Sequence, residues 1–186
     1  MGFQTSGTDD LYSTDRLILR CPRLSDQEVV YAIHADPLTN RFNPHGLVTF
    51  AESEAMLLEW ITHWTNVGYG YWAISSNEAP DQVVGFGGVV RKKIVDRFSL
   101  NLYFRFSPNA WGKGFATEVA NAALSLAFTM LGEAEVLAKV RADNLPSRRI
   151  LERIGVSIVG EIDDVPKAAP SLIYAISATD YGRLRV

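Results

Sequence analysis

Alternation of polar and apolar residues predicts strands at several places along the chain. Residues 16–20 read Arg-Leu-Ile-Leu-Arg, the two-residue period of a strand with one buried face, and Pro22 ends that strand. Further strands are predicted at 69–75, 82–91, 98–106, 135–140, 156–160 and 172–176. The chain therefore carries up to seven strands, enough for one sheet.

Apolar positions at helical spacing predict four helices between these strands. Ser25, with Glu28 three residues later, is typical of a helix N-cap with a capping box, and this first helix is predicted to reach about residue 35. The other three helices are predicted at 51–66, 115–130 and 144–154, and Gly155 is expected to end the last of them. Residues 37–49 are predicted to be irregular. The order predicts an α+β (α/β sandwich-like) fold: a mixed, mostly antiparallel sheet of six to seven strands, helices on both faces.

Composition places these elements in a single globular domain. The chain has 186 residues, 47 % hydrophobic and 21 % charged, and we expect one domain with a loose segment at residues 1–10. The net charge of −3 disfavours nucleic acid as a partner. One cysteine, Cys21, excludes an internal disulfide. No apolar run is long enough to span a membrane and no signal-peptide region is visible, so the expected location is cytoplasmic. No metal site is predicted.

The most informative segment, residues 107–118, lies between a predicted strand and a predicted helix. Gly112 and Gly114 allow a sharp turn that exposes successive backbone N–H groups, and the following helix directs its positive end into the same space. Lys113 adds a cation, and Thr117 adds a hydroxyl in the first helical turn. This arrangement suits a pyrophosphate. The two glycines alone are equally consistent with a connection that binds no ligand.

Four segments together resemble one family. They are Trp-Gly-Lys-Gly-Phe-Ala-Thr-Glu at 111–118, Thr-Asp-Arg-Leu-Ile-Leu-Arg at 14–20, Val-Gly-Phe-Gly-Gly at 84–88 and Asn-Leu-Pro-Ser-Arg-Arg-Ile-Leu-Glu-Arg-Ile-Gly at 144–155. In this order they resemble the GNAT acetyltransferases, and most closely the branch containing the ribosomal-protein alanine N-acetyltransferases. The resemblance implies the GNAT fold, with a V-shaped splay between the fourth and fifth strands, and acetyl-CoA as cosubstrate.

The resemblance also implies roles for individual residues. The backbone of Phe104, Arg105 and Phe106 would meet the pantetheine arm and the thioester. Asn144 would bind the pantetheine region, although it is also a suitable helix N-cap. Ser147 would contact the cosubstrate and protonate the leaving CoA thiolate, or be an ordinary first-turn hydroxyl. The residues that would hold the pyrophosphate are Trp111, Gly112, Lys113, Gly114, Phe115, Ala116 and Thr117.

Two departures from the family pattern concern the proton transfers, and the first of them leaves the general base open. Asn101 occupies a strand position where many relatives carry a glutamate, and an amide cannot take the proton of an ammonium group. Leu151 stands where many family members have a proton-donating tyrosine. Either Asn101 orders a water that removes the proton, or His45 in the irregular segment acts as the base.

The sequence thus predicts an enzyme that transfers an acetyl group directly from acetyl-CoA to a primary amine, on a small molecule or a protein N-terminus, in a ternary complex. The alternative is an acyl-CoA-binding module that has lost catalysis. A homodimer is left open.

Overall fold

An eight-stranded sheet forms the centre of the computed structural model, which describes residues 11–94 and 96–184. In chain order the strands are β1 (Leu11–Ser13), β2 (Leu17–Arg20), β3 (Tyr71–Ser76), β4 (Ala79–Ile94), β5 (Arg97–Phe106), β6 (Glu135–Arg141), β7 (Ser157–Ile162) and β8 (Ser171–Ser177). Across the sheet the order is β1-β2-β3-β4-β5-β6-β8-β7. Only β5 and β6 pair in parallel among these strands, which confirms a mixed, mostly antiparallel sheet.

Six α-helices accompany the sheet in the described ranges. They are α1 (Gln27–His34), α2 (Pro37–Asn40), α3 (Phe50–Val67), α4 (Phe115–Ser125), α5 (Leu145–Arg153) and α6 (Ala178–Leu184). A π-helical turn, Leu126–Met130, continues α4, so the segment predicted as one helix changes its hydrogen bonding at its end. Gly155 has φ +81° just beyond α5, as predicted for a helix-ending glycine.

The structure differs from the sequence prediction at four short elements, one of which is α6, where the pattern predicts no helix. The eighth strand is β1, and α2 lies inside the segment predicted to be irregular. Ser25 is not the N-cap of α1: it lies in a 3₁₀ turn, Leu24–Asp26, where the Asp26 carboxylate accepts the backbone N–H of Arg23 at 2.7 Å. A salt bridge of 2.7 Å from Arg20 fixes this carboxylate, which explains why Asp26 organises the turn. Residues 1–10, predicted to be loose, lie outside the described residues.

Helices cover both faces of the sheet, as the element order predicts. On one face α4 contributes small buried side chains such as Ala120 and Ala123 to the cluster that contains Trp72 and Leu102 of the sheet. On the other face α1 and α3 contribute a second cluster with the sheet. Its members are Val30, Ile33, Leu57, Trp60, Tyr71, Ala73, Phe86 and Val90. The described helices include none that is both long and apolar enough to cross a bilayer.

Candidate active site

A cavity of about 720 Å³ opens where β5 and β6 separate. The two strands pair only at Leu100 with Val136 and at Asn101 with Leu137. Beyond these pairs β5 stays bonded to β4, and β6 stays bonded to β8. Their facing edges therefore diverge toward their C-terminal ends, as the predicted V requires, and present backbone groups without a ladder partner to the cavity.

The segment after β5 brings a helix N-terminus to the open end of this V. Gly112 and Gly114 adopt left-handed conformations, with φ +75° and +80°, which side chains at these positions would disfavour. Gly114 is the N-cap of α4 and supplies no capping side chain. The first i→i−4 hydrogen bond of the helix is donated by Glu118 N to Gly114 O at 3.1 Å. The N–H groups of the first turn are thus directed toward an external acceptor, the property of an anion site.

Thr14 and Arg16, just before β2, bond to Glu118 and to the loop; these contacts are here called the brace. The Glu118 carboxylate accepts hydrogen bonds from Thr14 Oγ1 at 2.5 Å, Arg16 N at 3.0 Å and Arg16 Nε at 2.8 Å. Arg16 Nη1 also donates to the carbonyl oxygen of Lys113 at 2.8 Å. Burial alone would raise the pKa of Glu118, but these bonds and the Arg16 charge outweigh it and hold the pKa below its usual range. The charged brace fixes the loop at its base.

Trp111 closes the loop against the end of β5. Its indole Nε1 donates to the carbonyl oxygen of Phe106 at 2.9 Å. The guanidinium of Arg41, which follows α2, lies 5.3 Å from the centre of the Trp111 ring and 4.7 Å from that of Phe42. One rim of the cavity therefore combines the loop with the segment that follows α2.

The opposite wall comes from β6 and the start of α5. Asn144 is the N-cap of α5, and its Oδ1 accepts the backbone N–H of Ser147 at 3.3 Å, so the capping role left open by the sequence is present. Asn144 and Ser147 both line the cavity. Asp164 lies on the same wall, 2.7 Å from Lys139 Nζ and 3.0 Å from Arg141 Nη1. Burial alone would raise its pKa, but its hydrogen bonds and the Lys139 charge hold the pKa below its usual range, so it stays ionised.

On the other side of the V, Tyr103 and Arg105 line the cavity and are held by a polar network from α1 and α2. Nδ1 of the buried His34 lies 2.8 Å from the carbonyl oxygen of Val30, and its Nε2 lies 2.9 Å from the Tyr103 hydroxyl. The carbonyl can only accept, so Nδ1 carries the proton and Nε2 accepts from Tyr103. Arg105 Nη1 donates to Asn40 Oδ1 at 3.0 Å. Burial, assisted by the charge of Arg105, lowers the pKa of His34 to about 4, so the ring is neutral at pH 7.

The cavity brings together eleven of the thirteen residues singled out from the sequence. They are Phe104, Arg105, Phe106, Trp111, Gly112, Gly114, Phe115, Ala116, Thr117, Asn144 and Ser147. Lys113 does not line it, because its backbone carbonyl is held by Arg16 and its exposed ammonium lies 6.0 Å from the ring centre of Phe115. His45 lines the cavity from the segment after α2.

Asn101 is the second residue that the structure does not bring into the cavity. It lies at the closed end of the V, where β5 and β6 are still paired, and its Nδ2 donates to the Tyr71 hydroxyl at 3.0 Å. The side chain therefore does not line the cavity, the strands separate only one residue further along, and the expected role of Asn101 in ordering a water stays a prediction. Burial strongly raises the pKa of Tyr71, so that hydroxyl stays protonated.

Several residues of the site carry no signal in the sequence pattern. The Arg16–Glu118 brace joins positions 102 residues apart, and the pair formed by Tyr103 and His34 joins positions 69 apart. Periodicity and capping signals report only on residues that are close in the chain, so neither contact could be predicted from them. The alternation of β5 is the one available signal, since it places Tyr103 and Arg105 on the same face.

Comparison with known proteins identifies the family. Residues 16–157 match the model of the acetyltransferase (GNAT) domain, and the chain belongs to the GNAT acetyltransferase family. It is therefore an acyltransferase by class. It is 26 % identical over 162 residues to the uncharacterized N-acetyltransferase p20 of Bacillus licheniformis, covering 86 % of this chain and 89 % of that protein.

Solved structures show the same fold. A GNAT-family acetyltransferase from Bacillus anthracis superposes with a TM-score of 0.74 at 23 % identity, over 91 % of this chain and 99 % of that one. The microcin C7 self-immunity acetyltransferase MccE, solved with acetyl-CoA and AMP, gives a TM-score of 0.66 at 16 % identity, over 88 % of this chain and 93 % of that one. These likenesses establish the GNAT fold.

Proposed function

We propose that this protein transfers an acetyl group from acetyl-CoA to a primary amine, on a small molecule or a protein N-terminus, directly within a ternary complex. The observation that carries the proposal is the V between β5 and β6, which leads to the open N-terminus of α4. Such an N-terminus suits a pyrophosphate, and the unpaired strand edges suit the amides of a pantetheine arm. The likeness of four segments to the branch with the ribosomal-protein alanine N-acetyltransferases supports the same assignment.

In this proposal the N–H groups of the loop from Trp111 to Thr117 hold the pyrophosphate, and backbone groups of Phe104, Arg105 and Phe106 meet the pantetheine arm and the thioester. The amine nitrogen attacks the thioester carbonyl carbon, and the C–S bond breaks. The CoA thiolate takes a proton from the Ser147 hydroxyl, which recovers one from solvent. Preorganised donors at the carbonyl oxygen stabilise the charge that develops during attack.

The proton released by the amine goes to water in this account. Asp164 is the single acidic residue among the described residues that line the cavity, and it is paired with Lys139 and Arg141. His34 is neutral, but burial and the nearby Arg105 charge disfavour its protonated form. Asn101 contacts Tyr71 and, as an amide, cannot take the proton itself. We propose that the amine enters as the free base or loses its proton to solvent, and His45, which lines the cavity, is the alternative base.

A second candidate function is an acyl-CoA-binding module without catalysis. It is favoured by the amide at position 101 and by the lack of an unpaired carboxylate among the described residues that line the cavity. Two measurements separate the candidates: the thermal stability of the protein with and without acetyl-CoA, and the release of free CoA thiol with a panel of amines. Stabilisation together with thiol release supports the enzyme. Stabilisation with no release from any amine supports the binding module.

A further inference from the structure

The side chains of β5 divide the cavity into two regions of different character. Leu102, Phe104 and Phe106 pack with the cluster that contains α4, on the side of the pyrophosphate loop. Tyr103 and Arg105 alternate to the opposite face, where they contact His34 of α1 and Asn40 of α2. The guanidinium of Arg105 is thus separated by the strand from the helix N-terminus that suits the phosphates of acetyl-CoA.

Arg105 is held in place by neutral groups. Its Nη1 donates to Oδ1 of the buried Asn40, whose Nδ2 in turn donates to the carbonyl oxygens of His34 at 2.5 Å and Asp36 at 2.9 Å. The Asp36 carboxylate accepts the backbone N–H groups of Leu38 and Thr39, so it serves as the cap of α2. In ranges 11–94 and 96–184 no carboxylate forms a salt bridge with Arg105.

A second cation, Arg41, lines the same cavity. Arg41 lies between Phe42 and Trp111 on the rim, and both arginines line the cavity. The acid among the lining residues, Asp164, lies on the far wall and is neutralised there by Lys139 and Arg141. Within residues 11–94 and 96–184, neither the exposed Arg41 nor the half-buried Arg105 forms a salt bridge, so both positive charges that line the cavity lack a protein counter-ion.

We infer that the acceptor is a primary amine that also carries an anionic group, a carboxylate or a phosphate, and that Arg105 binds this group with Arg41 as a second cation. A fixed planar guanidinium is suited to a carboxylate or a phosphate, because it offers two parallel N–H donors. The same charges disfavour a diamine or a polyamine. This inference rests on the proposed function, since it names the class of acceptor for that reaction.

The test compares acceptors that differ only in the anionic group. The pairs are glycine with glycinamide, O-phosphoethanolamine with ethanolamine, and a tripeptide beginning with aspartate with its asparagine counterpart, together with putrescine as a diamine. The variants are Arg105→Gln, Arg105→Lys and, as a matched control, Arg149→Gln, an exposed arginine on α5 that does not line the cavity. The readouts are kcat/KM for thiol release and the affinity for acetyl-CoA.

We expect the parent to prefer the anionic member of at least one pair and to use putrescine poorly. Arg105→Gln lowers kcat/KM for that anionic acceptor about tenfold or more, the usual effect of losing a hydrogen bond to a charged group, and changes its neutral counterpart little. Arg105→Lys restores part of the loss, and Arg149→Gln has no effect. The carboxylate and phosphate pairs show which anion is bound.

Two results overturn the inference. One is a parent enzyme that uses neutral amines or putrescine better than the anionic acceptors. The other is an Arg105→Gln variant that loses activity equally with both members of each pair, which would make Arg105 a structural residue. If acetyl-CoA binds and no amine in the panel releases thiol, the proposed transferase function itself fails, and this inference fails with it.

Discussion

Acidification should destabilise the folded protein through one buried histidine. His34 is 2 % exposed, its Nδ1 proton is donated to the Val30 carbonyl, and its Nε2 accepts from Tyr103. The Tyr103 contact requires the neutral ring, because a protonated Nε2 could not accept the Tyr103 hydroxyl, whereas Nδ1 can donate to Val30 in either state. Burial, with the charge of Arg105, lowers the pKa of His34 from 6.5 to about 4, whereas in the unfolded chain it returns to 6.5.

The direction of this change in stability with pH follows from the number of protons that the folded and unfolded chains bind. Between pH 6.5 and 4 the unfolded chain binds a proton at His34 that the folded chain does not, so stability falls as the pH falls through this window. A shift of this size costs about 2 kcal/mol of unfolding free energy at pH 5 relative to pH 8, since one pKa unit corresponds to about 1.4 kcal/mol. Above pH 7 the contribution of His34 is constant.

Urea unfolding of the parent and of His34→Gln, at steps between pH 8 and pH 5, measures this effect. The difference between the two proteins is needed because burial also lowers the pKa of His63, which adds a smaller dependence of the same sign to both. We expect the parent to lose about 2 kcal/mol more than the variant over this range. Parallel stability curves would refute the assignment of a buried neutral His34.

Three further predictions concern the reaction and the loop. Ser147→Ala should lower kcat and kcat/KM together by about a hundredfold without weakening acetyl-CoA binding, since this is the lower range of the contribution of a general acid. An effect confined to KM for acetyl-CoA would make Ser147 a binding residue. The rate of the parent should rise with pH toward the amine's own pKa, without an enzyme group titrating near ~6–7, and Asn101→Glu should introduce such a group; a parent titration that His45→Ala removes would identify His45 as the base. Glu118→Gln should lower the unfolding free energy by about 1–2 kcal/mol and raise the Kd for acetyl-CoA, because it weakens the salt bridge with Arg16. If urea unfolding and calorimetry showed both values unchanged, the salt bridge would not be what holds the loop in its binding conformation.

The elements that the sequence pattern predicted well are those whose signal is local. The 3.6-residue spacing of α4 and the two glycines before it lie within one stretch of chain, and the structure places the helix and the left-handed glycines there. The alternation of residues 98–106 likewise matches β5. Short elements such as β1 and α2, with three and four residues, offer too few positions for a period to be visible.

The contacts between distant segments could not be predicted in this way. The place of Asn101 depends on the residue at which β5 and β6 cease to pair, a property of their register and twist that neither strand encodes alone. The contacts of Arg105 and Glu118 depend on which helix covers which face. The sequence position of Asn101 on the strand therefore predicts that it lies near the V, but it does not predict whether β5 and β6 are still paired at this residue.

The binding of acetyl-CoA at the loop is the central claim, and two glycine variants test it most directly. Gly114, at φ +80°, lines the cavity, whereas Gly132, at φ +66°, does not line it and has open space around its Cβ position. Gly114→Val and Gly132→Val should each cost about 1–2 kcal/mol of stability through the left-handed backbone. Calorimetric titration with acetyl-CoA should show binding abolished in Gly114→Val and retained in Gly132→Val. A folded Gly114→Val protein that binds acetyl-CoA as tightly as the parent would contradict the account.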